Sequence, residues 1–394
     1  MANDIVQGFK ASAVAAGIKK DGGLDMALIF SEKGAAAAGV FTTNRVKAAP
    51  VIVSQENIRK GRVRAIIANS GNANACTGKV GLDHAHREVE WVAKELGINP
   101  DEVLVASTGV IGTPLPMDRI ERVIPELVKH LMPEGLPDAA EAIMTTDSFS
   151  KISRFEGEAG GKSYQILGIA KGAGMIMPNM ATMLCFVLSD IRIDPSDLSR
   201  SVSSAVKPTF NRISVDGDTS TNDTVLVMAS GMAGNGELTS DDYESFQMGL
   251  THVMDTLATM IVRDGEGATK VVFVKVKGAA SHADAETAAR TIANSYLVKT
   301  AFYGQDPNWG RIMAALGRSN ISMTEEDIHI WVDEIQIVKG GLAIGDDVEK
   351  QASKSMAQKE FSVTIDLGQG EHEDQVVTCD LTPEYIAINS DYRT

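Results

Sequence analysis

Apolar residues follow a helical period in two segments of the chain. Between residues 82 and 96 they recur every three or four positions on one face of a predicted helix, and Gly97 follows as a C-terminal cap. The same spacing between residues 243 and 260 predicts a second helix, so that Glu266 falls just past its end. The periodic positions are Leu82, Ala85, Val89, Val92 and Leu96 in the first segment and Tyr243, Phe246, Leu250, Val253, Leu257 and Met260 in the second.

Short apolar runs typical of strands alternate with the helical segments. Residues 151–170 predict two strands joined by a Gly-rich turn, and the run MLCFVLS predicts a buried strand that ends at Asp190. This alternation predicts a mixed α/β (α+β) fold. A change of pattern near residue 275 divides the chain into an expected catalytic core, residues 1–275, and a smaller C-terminal α+β domain, residues 276–394.

Composition and charge narrow the classes of partner. The chain has 394 residues, of which 44% are hydrophobic and 23% charged, as in an average globular protein. Its 37 basic and 52 acidic residues give a net charge of −15, which would repel a nucleic-acid backbone. The first residues, MANDIVQGFKAS, contain no apolar stretch after a basic region, and no later segment approaches the roughly 18 apolar residues of a membrane span. We therefore expect neither nucleic acid nor a membrane as a partner, and we expect a cytoplasmic protein.

The three cysteines are predicted to be reduced thiols. Cys76, Cys185 and Cys379 are an odd number at wide spacings, which argues against a disulfide framework and against a CxxC metal site. Cys185 lies in the apolar run MLCFVLS, so a core position is a better interpretation than a nucleophile.

The segment from Lys171 to Leu184 reads KGAGMIMPNMATML and carries a candidate nucleophile. A Thr that begins a strand after a small residue is what a self-processing threonine enzyme requires. The Thr182 hydroxyl would attack the Ala181 carbonyl, and the shift from amide to ester would free the Thr182 α-amine. Water would then hydrolyse the ester, which releases the Ala181 carboxylate and restores the Thr182 hydroxyl. With a reference pKa of about 8, this amine would serve as base for its own hydroxyl. The alternative from pattern alone is a loop that enters a buried strand.

A second candidate lies where the apolar run VLVA ends. Thr108 and Gly109, within STGVIG, follow that predicted strand, where backbone N–H groups are available to stabilise an oxyanion. An ordinary turn that uses glycine for its backbone freedom is the alternative.

Three other strings are interpreted as structural. GEAGGKS, from Gly157, is one residue short of a phosphate-binding loop and lies inside the predicted hairpin. DGDTSTNDT, from Asp216, could hold Mg²⁺ through Asp216, Asp218 and Asp223, but it does not have the spacing of a calcium loop, and polar loops of this kind are common. His84 and His86 point to different faces of one helix and cannot chelate one ion. Local sequence therefore does not favour a metal site or a phosphate site in any of these strings.

Eight ordered motifs, spread over almost the whole chain, resemble one family: the glutamate N-acetyltransferases, also called ornithine acetyltransferases, of the cyclic arginine pathway. The motifs are FTTNRVKAAPV (41–51), NSGNANACTG (69–78), STGVIG (107–112), MTTD (144–147), KGAGMIMPNMATML (171–184), DGEGATK (264–270), DPNWGRI (306–312) and INSDYRT (388–394).

The resemblance implies roles for individual residues. It implies self-cleavage between Ala181 and Thr182 into segments 1–181 (α) and 182–394 (β), with Thr182 as nucleophile. It also implies an oxyanion hole of Thr108 and Gly109. The implied substrate contacts are Thr145 (with Thr146 as the alternative), Lys171, Thr182, Glu266, Asn389 and Thr394.

The implied reaction is acetyl exchange. An acetyl group would pass from N2-acetyl-L-ornithine to Thr182 and then to L-glutamate, with acetyl-CoA left open as a second donor. Because both substrates are amino acids that share one site, the implied reaction requires no metal and no redox cofactor, and we expect none. Lys171 would hold a substrate carboxylate and Glu266 an ammonium group. The C-terminal tail would then have to fold back over the pocket.

The resemblance also implies the architecture and assembly. The core would be the layered sandwich of the self-cleaving aminopeptidase and ornithine acetyltransferase type, and αβ units would assemble into an oligomer such as a heterotetramer. Two alternatives stay open here: an amidohydrolase or aminopeptidase of the same fold with water as acceptor, and a small-molecule binding module without catalysis.

Overall fold

The computed structural model describes residues 4–177 and 183–391, and within them helices and strands alternate. The predicted mixed α/β class is confirmed. The strands are β1 (Phe9–Val14), β2 (Met26–Phe41), β3 (Arg62–Asn69), β4 (Val103–Ser107), β5 (Lys151–Ala159), β6 (Lys162–Lys171), β7 (Leu184–Ser189), β8 (Ile213–Ser214), β9 (Thr224–Ala229), β10 (Val271–Ala279), β11 (His329–Val332), β12 (Ile335–Lys339), β13 (Leu342–Ala343), β14 (Glu360–Asp366) and β15 (His372–Cys379). The helices are α1 (Ala49–Ile58), α2 (Gly78–Leu96), α3 (Met117–Lys129), α4 (Leu136–Ala142), α5 (Pro195–Val206), α6 (Ser240–Arg263), α7 (His282–Ala293), α8 (Tyr296–Tyr303), α9 (Trp309–Gly317), α10 (Asp346–Met356) and α11 (Pro383–Asp391).

The chain forms two compact units. Among the described residues, the first contains the chain up to Asn211 together with Asp218–Ile261, and the second contains Arg212–Gly217 and residues 262–391. Residue 275, where the sequence suggested a change of domain, lies inside β10 of the second unit.

The sheet of the first unit has the strand order β4-β3-β2-β9-β7-β6-β5, and β1 pairs separately with β2. The pairs β3/β4 and β7/β9 are parallel, whereas β5, β6 and β7 pair antiparallel. At 16 residues, β2 is long enough to pair with β1, β3 and β9 along its length.

Helices cover both faces of this sheet, as alternate residues of β2 demonstrate. Ala27 and Ile29 belong to a buried cluster with α4, whereas Leu28 and Phe30 belong to a cluster with α1, α2 and α3. A strand covered on both faces needs apolar residues at nearly every position. The fully buried β7, LCFVLS, has that composition, and the position predicted for Cys185 in the core is confirmed.

The sheet of the second unit has the order β13-β12-β11-β14-β10-β15-β8. Its central strand β10 pairs parallel with β14 and antiparallel with β15, and α7 packs against β10 and β15. The loop that enters β10 from α6 and the connection that leaves β15 for α11 therefore lie at the same end of two neighbouring strands.

The predicted local elements are confirmed. Helix α2 covers the first periodic segment and ends at Gly97, whose φ of 67° is the left-handed cap conformation. Helix α6 covers the second segment. The strands β5 and β6 form the predicted hairpin around two glycines. Within residues 4–177 and 183–391, no helix combines the length and the apolar character that a membrane span requires.

Candidate active site

Three of the predicted site residues meet in the first unit. Lys171, the last residue of β6, is 4% exposed, and its Nζ donates a hydrogen bond to Thr145 Oγ1 at 2.7 Å. The same Nζ lies 3.4 Å from Thr108 Oγ1. The sequence positions are distant, so the sheet brings them together: Thr108 directly follows β4, and Thr145 lies in the segment between α4 and β5. The structure places Thr145, the first of the two candidate threonines, against Lys171.

Asp147 organises this cluster, and the sequence reasoning did not assign it a role. Its Oδ2 accepts a hydrogen bond from the backbone N–H of Thr145 at 2.9 Å, and its Oδ1 accepts one from the N–H of Gly172 at 2.6 Å. The carboxylate therefore joins the Thr145 segment to the end of β6. The available signal was the final Asp of the MTTD motif, which precedes the buried Lys151 by four residues.

Two lysines share the Asp147 carboxylate. Lys151 Nζ lies 2.7 Å from Oδ1, and Lys171 Nζ lies 3.8 Å from Oδ2. Burial would raise the pKa of Asp147, but the charges of Lys171 and Lys151 and the hydrogen bonds to the carboxylate lower that pKa well below its usual value. Asp147 is therefore ionised throughout the physiological pH range.

The oxyanion donors expected at Thr108 and Gly109 need one correction. The backbone N–H of Thr108 already donates to the Asn69 carbonyl at 3.0 Å, because the two strands β3 and β4 continue to interact past their ends. The hydroxyl of Thr108 is therefore the group of this residue that can serve as a donor to an oxyanion.

Gly109 requires glycine for two reasons. Its φ is 129°, a conformation that other residues rarely adopt. A Cβ atom at this position would also lie 2.3 Å from the carbonyl carbon of Gly71 and 2.5 Å from the backbone nitrogen of Asn72. The backbone at residue 109 is thus packed directly against the segment that follows β3.

Ala181 and Thr182, the predicted cleavage site and nucleophile, lie outside the described residues. Hydrogen bonds fix both the backbone N–H and the backbone carbonyl of the next residue, Met183. Its N–H donates to Asp223 Oδ1 at 3.0 Å, and its carbonyl accepts from the Thr224 N–H at 3.0 Å. Leu184 then pairs with Lys171 across the β6/β7 register. The described chain that follows Thr182 therefore begins at the same strand end as Lys171.

Asp223 is a second acidic residue at this strand end, and the sequence indicated for it only a possible role as a Mg²⁺ ligand. It is 2% exposed, and burial raises the pKa of its carboxyl well above the usual value. Two kinds of interaction lower that pKa, but by less than burial raises it. They are the charge of Lys171 and the hydrogen bonds from the Met183 N–H and from the Thr42 and Ser220 hydroxyls. The Asp223 carboxyl is therefore neutral at a higher pH than an ordinary aspartate.

The second unit contains Glu266 and Asn389. Glu266 is 8% exposed and lies in the loop between α6 and β10, as predicted. Asn389, in the last turn of α11, donates from Nδ2 to Glu266 Oε2 at 2.7 Å. Thr394, the last predicted substrate contact, lies outside the described residues.

One group with the spacing of metal ligands is found in the described part of the chain: His282, Glu286 and Asp374. The Arg212 guanidinium already compensates the two carboxylates, at 2.8 Å from Asp374 Oδ1 and 3.1 Å from Glu286 Oε2. This group is therefore an arginine-centred ion-pair network of the second unit.

Comparison with known proteins gives concordant matches over the whole chain. The model of the ArgJ family matches residues 10–394. The arginine biosynthesis bifunctional protein ArgJ of Geobacter sulfurreducens is 52% identical and covers 99% of this chain and 100% of its own length. The glutamate N-acetyltransferase of Methanocaldococcus jannaschii is 47% identical over 98% of this chain and 97% of its own. A crystal structure of ArgJ from Bacillus halodurans, 42% identical, matches with a TM-score of 0.51 over 52% of this chain and 98% of that chain.

Proposed function

Because the chain belongs to the ArgJ family, we propose that it transfers the acetyl group of N2-acetyl-L-ornithine to L-glutamate through an acetyl ester on Thr182. The protein is an acyltransferase of arginine biosynthesis. The observation that carries our assignment of residues is the buried contact of Lys171 with Thr145 and Thr108. It joins a cation suited to a substrate carboxylate with a hydroxyl suited to an oxyanion.

In the first half-reaction, the Thr182 hydroxyl attacks the acetyl carbonyl of acetylornithine. The Thr182 α-amine, freed by self-cleavage, takes the hydroxyl proton and passes a proton to the leaving α-amine of ornithine. The Thr108 hydroxyl and the Gly109 N–H stabilise the oxyanion of the tetrahedral intermediate. Ornithine leaves, and the acetyl group stays on Thr182 as an ester.

In the second half-reaction, the α-amine of glutamate attacks that ester and regenerates the Thr182 hydroxyl. Lys171 binds the α-carboxylate that both amino acids share, as a charge-assisted hydrogen bond. Glu266, with Asn389 on its carboxylate, binds the δ-ammonium group of ornithine. Thr145 and Thr394 complete the proposed substrate contacts.

Self-cleavage after Ala181 would give an α segment of residues 1–181 and a β segment of residues 182–394. We propose that the two segments stay associated and that αβ units form an oligomer in the cytoplasm. The pairing of β6 with β7 and of β2 with β9 supports the association of the two segments, because each pair joins a strand of segment 1–181 to a strand of segment 182–394.

A single mass measurement tests cleavage and acylation together. Purified protein is incubated briefly with N2-acetyl-L-ornithine and quenched in acid, and the masses of all chains are recorded under denaturing conditions, with Thr182→Ala as control. We expect segments 1–181 and 182–394, one acetyl group on the second, and loss of that group when glutamate is added. A single unmodified chain would contradict the proposal. Acetyl-CoA in place of acetylornithine tests the second donor in the same way.

Glutamate also distinguishes transfer from hydrolysis. A transferase releases ornithine faster when glutamate is present and forms N-acetylglutamate in equal amount. A hydrolase of the same fold would release ornithine and acetate at a rate that glutamate does not change.

A further inference from the structure

A three-residue connection in the second unit contacts the loop that carries Glu266. Residues 380–382 leave strand β15 and lead into helix α11, and both Asp380 and Thr382 are buried, at 3% and 5% exposed. Their side chains point to residues 264–270, the loop between α6 and β10. We refer to these two segments as the 380–382 connection and the Glu266 loop.

Asp380 fixes the end of the Glu266 loop. Its Oδ1 accepts hydrogen bonds from the backbone N–H groups of Thr269, at 2.8 Å, and Lys270, at 3.0 Å. Its Oδ2 accepts a further bond from the Thr269 hydroxyl. Three bonds to one carboxylate hold the loop where it enters β10, since bonds to a charged acceptor are stronger than neutral ones.

Thr382 fixes the middle of the loop and the start of the helix at once. Its hydroxyl donates to the Gly267 carbonyl at 2.7 Å and accepts from the Tyr385 N–H at 3.4 Å. The second bond is the N-cap interaction of α11, whose first residue is Pro383. One oxygen atom therefore joins the loop to the helix.

The approach of the two segments is close enough to exclude other residues at Gly267. This glycine has a φ of 68°, and a Cβ atom there would lie 2.6 Å from the backbone nitrogen of Tyr385. Glu266, the preceding residue, receives the Asn389 amide from the last turn of the same helix, at 2.7 Å. The loop is thus held by the helix at both its first and its last turn.

We propose that Thr382 is a positioning residue for Glu266, and that the 380–382 connection joins the Glu266 loop and helix α11 into one preformed substrate-binding element. This inference rests on the proposed function, because it assigns Thr382 to the acetyl-transfer site through Glu266. A loop already ordered before substrate arrives avoids the entropic cost of ordering it on binding.

The test compares Thr382→Val, which keeps the shape of the side chain, with Thr382→Ser, which keeps the hydroxyl. Each lost hydrogen bond should lower kcat/KM by a few-fold, so we expect kcat/KM for acetylornithine to fall on the order of tenfold in Thr382→Val, which loses two. We expect Thr382→Ser to stay within about twofold of wild type. Wild-type kcat/KM in Thr382→Val would overturn the proposal.

Ser281→Ala is the matched control for lost helix capping. Ser281 caps α7 of the same unit by accepting the Asp284 N–H at 3.1 Å. We expect Ser281→Ala to lower the melting temperature about as much as Thr382→Val and to leave kcat/KM unchanged. An equal loss of activity in Ser281→Ala would assign the Thr382→Val effect to general destabilisation and overturn the proposal.

A double-mutant cycle with Glu266→Gln tests whether Thr382 acts through Glu266. We expect the tenfold effect of Thr382→Val to shrink to within about twofold in the Glu266→Gln background, because the residue it positions is already changed. A full tenfold effect in that background would overturn the positioning role.

Hydrogen exchange separates this inference from the proposed function. We expect faster exchange of the amides of residues 266–270 and 384–389 in Thr382→Val, whatever reaction the enzyme catalyses. Unchanged exchange would overturn the preformed element. If exchange accelerates but wild-type protein forms no acetyl ester, the proposed function fails and the preformed element stands.

Discussion

Lys151 donates a hydrogen bond from Nζ to Oδ1 of Asp147 at 2.7 Å, and neither side chain is exposed to solvent. This pair stabilises the candidate site, because the same carboxylate accepts hydrogen bonds from the backbone N–H groups of Thr145 and Gly172. The carboxylate also lies 3.8 Å from Lys171 Nζ. A buried pair of charges contributes mainly by not leaving either charge alone in a medium of low dielectric constant.

Removal of Asp147 alone takes the shared carboxylate from two buried lysines, Lys151 and Lys171, so it should cost more than its removal together with Lys151. We expect Asp147→Asn to lower the free energy of unfolding by about 3–5 kcal/mol, and we expect Lys151→Met/Asp147→Asn to cost much less than the sum of the single changes. Urea unfolding of the four proteins gives the coupling energy. The control is Lys10→Met, whose exposed partner Glu32 should make the change cost less than about 1 kcal/mol. Additive costs at Lys151 and Asp147 would contradict the buried pair.

Substitution at Gly109 should impair chemistry more than folding. A Cβ at residue 109 would meet the backbone of Gly71, so Gly109→Ala must displace the proposed oxyanion donor. We expect kcat for acetyl transfer to fall roughly 100- to 1,000-fold, as for the loss of one such donor. Gly112→Ala is the matched control, because Gly112 also has a positive φ, of 83°, but a Cβ there meets no atom within 4 Å. Equal kcat values for the two variants would remove Gly109 from the oxyanion hole.

Glu88 should make stability depend on pH. This residue of α2 is 1% exposed, its Oε2 has no hydrogen-bond partner among the described residues, and burial raises the pKa of its carboxyl to about 8. The unfolded chain has a value of about 4.3. Between these pH values the folded state retains the proton that the unfolded state has lost, so stability falls by about 1.4 kcal/mol per pH unit and levels off above the folded pKa.

Calorimetry of Glu88→Gln between pH 5 and pH 8 measures this dependence. Glutamine stays neutral, so the melting temperature of the variant should rise relative to wild type as the pH rises. The exposed Glu90 of the same helix provides the control, and Glu90→Gln should follow the wild-type curve. A difference between Glu88→Gln and wild type that stays constant with pH would show that Glu88 does not titrate in this range.

Local elements of the fold were predictable because they depend on local sequence. The apolar period of α2, the αL cap at Gly97 and the Gly-Gly turn between β5 and β6 each follow from a few neighbouring residues. The strand order of the two sheets does not, because the pairing of β2 with β9 joins segments almost 190 residues apart. The long-range pairing of β8 with β15 explains why Arg212–Gly217 belongs to the second unit although the chain then returns to the first.

In the candidate site, too, some residues could be predicted from the sequence and others depend on the tertiary structure. The resemblance identified Lys171 and Thr145, whose side chains the fold brings into contact. It did not identify Asp147, Asp223 or Thr382, because these residues act on backbone groups whose position only the tertiary structure determines. Apart from the place of Asp147 in the MTTD motif, a single Asp or Thr in a polar segment carries no local signal for such a role.

Asp223 gives a prediction about self-cleavage. Its carboxyl accepts the N–H of Met183, the peptide nitrogen bonded to the Thr182 carbonyl, and so lies within one residue of the proposed nucleophile. Burial raises the pKa of this carboxyl well above its usual value, and asparagine is uncharged and keeps an acceptor oxygen for the Met183 N–H. We expect Asp223→Asn to cleave within about twofold of the wild-type rate. Asp223→Leu, which leaves a buried N–H unsatisfied, should cleave at least about tenfold more slowly.

Asp190→Leu is the control for Asp223→Leu, because it also removes an acidic side chain whose pKa burial raises but does so at the other end of β7. Asp190 follows that end of β7, accepts the Gln165 N–H at 2.7 Å, and also has a pKa raised by burial. Asp190→Leu should therefore destabilise the same strand without changing the cleavage rate of the folded protein, measured as the ratio of segment 182–394 to intact chain over time. If Asp190→Leu slows cleavage as much as Asp223→Leu does, the effect arises from weakened packing of β7, and the hydrogen bond to Met183 does not position Thr182.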